Sequence, residues 1–389
     1  MKSLNGIPRN VWILGFTSLL TDVSSEMIHS VLPLFLIAGL GANVATVGLI
    51  EGIAEATASI IKVFSGAISD YWKQRKALVV FGYGFSTLMK PLFVVANSPI
   101  SVFYGRLGDR IGKGIRVAPR DALVADSTSP ENRGAAYGLR QSLDTIGAFL
   151  GPLFAFGLMS TTHNFRLVFT WALVPAFLSV LLLIVGIKEP EKPYRLLKRE
   201  NPLRWSVLRS LSTGYWGLAI AALLFNLGNS SEVFLLLQGQ HLGIPDSQVP
   251  LILVVMNLSY ALSAYPLGIL SDRISRQQLL IFGWSLAALV YIGLGIAQSS
   301  IAVWVLCAVY GLHLGMSQGI LLAMISNQVP ETMRGTAFGF LNLLVGVALL
   351  PASVMAGWLW QTVSPTATFM VSGLFSIAAV GLLIFQKSD

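Results

Sequence analysis

The sequence predicts an all-α membrane protein of twelve transmembrane helices, arranged as two pseudo-symmetric six-helix bundles. Three observations carry this expectation. Of the 389 residues, 54% are apolar or aromatic and only 11% are Asp, Glu, Lys or Arg, against roughly 45–50% and about 25% in soluble domains. That is too little charge to cover a soluble surface, and a disordered chain is not this apolar. Apolar runs of about 20 residues, the length that crosses a bilayer, recur along the whole chain. Short patterns in the first half also return about 200 residues later. A net charge of +8 would suggest nucleic acid in a soluble chain, but here the placement of the charges decides. The single cysteine, Cys307, excludes an intramolecular disulfide and a zinc site built from several thiolates.

The apolar runs place spans 1 to 6 at 11–38, 44–69, 77–97, 100–121, 134–159 and 166–187. Spans 7 to 12 follow at 214–237, 249–270, 278–297, 301–326, 335–360 and 365–386. Span 1 is too long, and too polar in its middle, for a cleaved signal peptide. With the N-terminus in the cytoplasm, the Lys and Arg between spans fall on cytoplasmic segments, and Arg166 alone is left outside. This positive-inside bias puts both termini in the cytoplasm and makes the protein a multi-pass plasma-membrane protein, or an inner-membrane one in a Gram-negative cell. The segment 188–213 holds seven basic and three acidic residues and reads as a membrane-hugging linker. It divides the chain into bundles 1–187 and 214–389.

Span 1 carries Asp22, Ser25, Glu26 and His29 within about 100° of one helix face, near mid-membrane. A lone charge there costs a few kcal/mol or more, so such groups face a cavity or a partner. Two carboxylates one turn apart do not both ionise cheaply in a low dielectric, which suits proton exchange. Span 2 places Glu51, Glu55 and Lys62 on a second face, with Lys62 a candidate counter-ion for Glu55 or Asp22. Span 4 presents Arg106, Asp109, Arg110, Lys113, Arg116 and Arg120 on one face. Some of these cations are expected to pair with carboxylates of spans 1 and 2 and with Asp144 of span 5, while Arg106 or Arg110 meets an anionic group. Arg140 and Asp144 stand at i,i+4 spacing, suited to a local pair. In span 5, Gly138, Gly147 and Gly151 allow close helix approach, and Pro152 removes a backbone donor.

The second half repeats the first with fewer charges. Gly66-Ala-Ile-Ser-Asp70 returns as Gly268-Ile-Leu-Ser-Asp272, and Pro130-Glu-Asn-Arg133-Gly as Pro330-Glu-Thr-Met-Arg334-Gly. Ser24-Ser25-Glu26 returns as Ser230-Ser231-Glu232, beside Asn226 and Asn229. Span 10 offers His313 and Gln318 where span 4 has cations. Trp216, Tyr260, Tyr265, Trp304, Tyr310 and Phe340 are candidate lining aromatics.

These motifs resemble the major facilitator superfamily across essentially the whole chain. The superfamily's loop pattern between spans 2 and 3 is similar to Gly66-x-x-x-Asp70-x-x-x-x-Arg75-Lys76, and its second copy to Gly268-x-x-x-Asp272-Arg273-x-x-Arg276. Arg106 and Gly112 fit an Arg-x-x-x-x-x-Gly element of span 4, and Gly138, Gly147, Gly151 and Pro152 are similar to a signature of its antiporters. The resemblance implies a secondary active transporter that moves a small organic solute by alternating access, proton-coupled and drug- or metabolite-antiporter-like. Import of an organic anion such as a siderophore, or transport of a divalent metal held by Asp22, Glu26 and His29, are the alternatives. Asp22, Glu26, Asp109 and Asp144 are then candidates for proton coupling, and His29, Glu55, Arg106, Arg110, Asn229 and Glu232 for substrate binding. Gly66, Asp70, Arg75, Asp272, Arg273 and Arg276 are candidates for cytoplasmic gating, through an acid–base latch that breaks when that side opens. The expected partners are a small-molecule substrate, protons and the lipid bilayer. The protein is expected to act as a monomer, with no nucleic acid, no resident metal and no cofactor. No phosphate loop, Ser-His-Asp order or metal-ligand spacing points to an enzyme.

Overall fold

A computed structural model describes residues 7–72, 75–129, 132–188, 211–270, 274–329 and 334–385. Among these residues the regular structure is entirely helical, with no strand. The first half contains α1 (Arg9–His29), a short continuation α2 (Leu32–Leu34) ending in a π-turn over Phe35–Gly39, α3 (Val44–Trp72) and α4 (Arg75–Met89). It continues with α5 (Pro91–Val95), α6 (Pro99–Asp126), α7 (Arg133–Thr162) and α8 (Phe165–Gly186). The second half contains α9 (Thr213–Gly228), α10 (Val233–His241), α11 (Pro250–Leu270) and α12 (Arg276–Ile296). It ends with α13 (Ser300–Asn327), α14 (Arg334–Thr362) and α15 (Pro365–Phe385).

Among the described residues, ten helical segments are long and apolar enough to cross a membrane. Charge keeps α6 from meeting that criterion despite its 28 residues, and the apolar part of α11 is confined to Pro250–Ala264. Caps fix several starts: the hydroxyls of Ser98 and Ser299 accept from Ser101 N and Ala302 N, and Asn164 accepts from Arg166 N and Leu167 N. Arg166, the one basic residue expected outside, donates to Val94 O and Ala96 O and so caps the C-terminus of α5.

Among the described residues three expected spans are broken. Span 1 interrupts at Ser30 and Val31, and span 7 at Asn229–Glu232. In span 3, Pro91 has no backbone N–H to give, and α4 and α5 meet at Lys90.

The chain forms two compact units. The first comprises Met1–Gly41, Thr57–Lys198 and Asp246–Val254; the second comprises Ala42–Ala56, Arg199–Pro245 and Val255–Asp389. In the first unit α1 packs on α7 and α8, and α4 on α6 and α8. The second unit repeats this pairing, with α9 on α14 and α15, and α12 on α13 and α15. The repeated motifs therefore correspond to repeated packing. Phe81, Leu88, Val185, Leu262, Leu289 and Ile301 are more than half exposed, an apolar exterior suited to lipid.

Small residues set the closest crossings. A Cβ at Gly147 would lie 2.9 Å from Asp22 Cβ, and one at Gly151 2.7 Å from Glu26 Cβ, so α7 presses directly on the acidic face of α1. Gly82 and Gly112 interlock α4 with α6, since a Cβ on Gly112 would meet Gly82 O at 2.6 Å and Ser86 N at 2.7 Å. Gly138 is a correction to the sequence expectation: nothing lies within 4 Å of its Cβ position, so it makes no close crossing.

Candidate functional site

The first unit gathers a buried charge network on α1, α4, α6 and α7. It follows from the periodicity of α6, which turns Arg106, Asp109, Arg110, Lys113, Arg116 and Arg120 to one face. Arg106, Asp109, Arg110, Arg116 and Arg120 are each less than a tenth exposed. Buried charges of this kind persist only when paired or hydrogen-bonded.

Asp22 is half-buried and faces the Asp144 carboxylate across the α1–α7 crossing, with Lys113, Arg116 and Arg120 also in its field. Glu26 meets His29 Nδ1 at 3.4 Å, with Arg110 and Lys113 as its nearby cations. His29 is the last residue of α1, placed at the break. Asp144 holds Arg140 Nη1 at 2.5 Å, the local pair expected from the i,i+4 spacing. Arg140 also approaches Asp121 at 3.7 Å, and Arg120 Nε meets the same carboxylate at 3.1 Å. Lys62 has Asp121 as its nearby carboxylate. Arg116 stacks over the Tyr83 ring at 4.4 Å. The Tyr83 hydroxyl meets Ser18 Oγ, which accepts from Arg120.

Lys90 was not anticipated as a site residue. It is 1% exposed, and its ammonium donates to Ser24 Oγ at 2.6 Å and Ser25 Oγ at 3.1 Å. Asp109, hydrogen-bonded to the Ser86 hydroxyl, lies near Lys90, Arg110, Arg116 and Arg106. Asp109 is thus a buried carboxylate in the field of four cations. A lysine in the middle of an apolar run, followed by proline, was the available signal.

The second unit builds a neutral version at corresponding positions. Tyr291 and Tyr310, each 201 residues beyond Lys90 and Asp109, donate to Asn229 Oδ1 at 2.6 and 2.7 Å. Asn229 lies in the break of span 7, and Glu232, half-buried at the start of α10, is in the field of Tyr291, Tyr310 and Cys307. His313 Nδ1 meets Gly283 O at 2.9 Å, and Phe225 stacks on Trp284 at 4.6 Å. Glu55 is half-buried and belongs to the second unit.

Of the gating candidates, Gly66 faces α6, where a Cβ added to it would lie 3.5 Å from Ala118 Cβ, and Arg276 opens α12. Arg75 is buried and pairs with Asp126 Oδ2 at 3.1 Å. A pairing of Arg75 with Asp70 is not tested, because the Asp70 side chain, Asp272 and Arg273 lie outside the described residues. Among the described residues no group of three His, Cys, Asp or Glu side chains converges to hold a metal ion.

A family model of the major facilitator superfamily matches residues 14–348 and 233–389. An uncharacterised MFS-type transporter of Methanocaldococcus jannaschii is 33% identical, covering 97% of this chain and 95% of that one. The multi-drug resistance efflux pump PmrA of Streptococcus pneumoniae is 24% identical over 95% of this chain and 91% of its own. The crystal structure of a bacterial homologue of the human lysosomal transporter Spinster matches with a TM-score of 0.76 at 17% identity, covering 97% of this chain and 96% of that one. The chain belongs to the major facilitator superfamily: it is a multi-pass membrane transporter of a small solute, and not an enzyme.

Proposed function

We propose that the protein is a proton-coupled secondary transporter that exports a drug-like compound or metabolite in exchange for protons by alternating access. In this reading the chain crosses the membrane twelve times with both termini in the cytoplasm. Residues 1–187 and 214–389 form the two bundles, and 188–213 the linker. The observation that carries the proposal is the apposition of Asp22 and Asp144 beside Glu26, inside a membrane bundle rich in fixed cations. Carboxylates gathered at one helix crossing inside a membrane are the side chains able to carry a proton between states of a transport cycle.

Asp22, Glu26 and Asp144 exchange the proton, and Asp109 holds the cations in place. Glu55, His29, Arg106, Arg110, Asn229 and Glu232 contact the solute. Gly66, Asp70 and Arg75, with Asp272, Arg273 and Arg276 in the second half, gate the cytoplasmic side. Export is supported by the Gly147, Gly151 and Pro152 pattern and by the efflux activity in the name of the pneumococcal relative. A second reading, import of an organic anion, is favoured by the surplus of cations over carboxylates on α6.

Glu26→Gln keeps the shape of the protonated acid but releases no proton. It should abolish uphill transport while sparing solute exchange. Full uphill transport by both Glu26→Gln and Asp22→Asn would remove α1 from the mechanism.

A further inference from the structure

We propose that Asp121 is a positioning residue for the proton step: the Arg140 guanidinium passes from Asp144 to Asp121 when Asp144 takes up a proton, and returns when the proton leaves. This rests on the proton-coupled reading above.

Arg140 is 8% exposed and touches carboxylates on two helices. Its Nη1 is 2.5 Å from Asp144 Oδ2, a hydrogen-bonded pair, whereas its Nε is 3.7 Å from Asp121 Oδ1. Arg140 Nε is buried and has no hydrogen-bond partner among the described residues, and the same holds for Asp144 Oδ1. The guanidinium therefore makes one hydrogen bond to Asp144 and lies within ion-pair distance, beyond hydrogen-bond distance, of Asp121.

Asp121 is anchored independently of Arg140. Its carboxylate takes Arg120 Nε at 3.1 Å, and its backbone oxygen accepts from the Tyr137 hydroxyl at 2.7 Å. Arg120 is tied in turn to Ser18 of α1. The guanidinium, at the end of a long side chain, is the member able to shift.

A buried guanidinium is not stable without a counter-charge. Protonation of Asp144 removes one, and Asp121 is the other carboxylate within ion-pair distance of Arg140 among the described residues. The remaining charges around the pair are Asp22 of α1 and Arg120 of α6 beside Asp144, and Lys62 of α3 beside Asp121 and Arg140. The Asp121 side chain is 36% exposed and that of Asp144 17%. The transfer thus moves positive charge towards the better solvated carboxylate and reports proton occupancy from α7 to the cytoplasmic end of α6.

Infrared difference spectroscopy of the purified full chain in lipid bilayers tests this, with the protonated-carboxyl band of Asp144 identified by its loss in Asp144→Asn. A double-mutant cycle then separates transfer from through-space effects. Asp121→Asn is expected to move the pH midpoint of the band by about half a unit or more in the native background, and by less than about 0.2 units in Arg140→Gln. Arg140→Lys, which keeps the charge but not the two-ended reach, should behave as Arg140→Gln does. Equal midpoint shifts with and without Arg140 would overturn the transfer and leave the proton reading standing. A native protein whose Asp144 never shows a protonated-carboxyl band, with or without solute, would overturn both.

Discussion

Replacing Lys90 or its counter-ion tests the charge network of the first unit. Lys90→Met removes two charge-assisted hydrogen bonds, to Ser24 and Ser25, each contributing about 1.5–3 kcal/mol. Ser24 keeps its own donation to Ala172 O at 2.6 Å and is not orphaned. Asp109 keeps three arginines nearby. The expected loss is therefore at the low end, about 3 kcal/mol. Asp109→Asn takes a buried carboxylate from the field of Lys90, Arg106, Arg110 and Arg116, which leaves buried cations less well compensated and should cost more, about 3–5 kcal/mol. The double variant Lys90→Met/Asp109→Asn has one cation fewer to compensate, so it should be more stable than the two losses added together. Equilibrium unfolding in mixed micelles, followed by tryptophan fluorescence, reads all three. An Asp109→Asn variant as stable as Lys90→Met, or strictly additive losses, would refute the reasoning.

Other outcomes follow from the packing and the polar contacts. Gly112→Ala, whose new methyl meets the backbone of Gly82 and Ser86, should lose about 1–3 kcal/mol in the same unfolding assay. Gly138→Ala, with open space at its Cβ, should gain about 0.5–1 kcal/mol. Tyr291→Phe and Tyr310→Phe should each cost about 1 kcal/mol, and Asn229→Leu about 2 kcal/mol because Tyr310 then loses its acceptor while Tyr291 keeps the Tyr310 hydroxyl at 3.3 Å. Arg75→Ala and Asp126→Asn break one ion pair, so a double-mutant cycle in the same unfolding assay should show a coupling of about 0.5 kcal/mol or more, where strict additivity would count against the pair.

The helices and their repeat were legible because span length and hydropathy follow from the bilayer, and helix ends lie within a few residues of the apolar runs. The face of α6 was legible for the same reason, since helical periodicity alone turns Arg106, Asp109 and Arg110 together. The breaks at Ser30 and Asn229 were not, because the apolar content continues through them and the interruption depends on tertiary partners such as Tyr291 and Tyr310. Lys90 was hidden for a related reason: its meaning lies in serines 65 and 66 positions away. The Arg75 partner illustrates the limit of motif reading. Its contact with Asp126 joins the start of α4 to the end of α6, a pairing that residue spacing does not encode.

Proton movement in proteoliposomes tests the central claim most directly. The reconstituted chain, with a pH-sensitive dye trapped inside, is challenged in turn with a drug-like organic cation and an organic anion, and the sign of the charge that elicits a response is recorded. The account predicts solute-stimulated proton flux that is lost in Glu26→Gln while solute exchange persists. Solute transport by the native protein with no accompanying proton flux would contradict it.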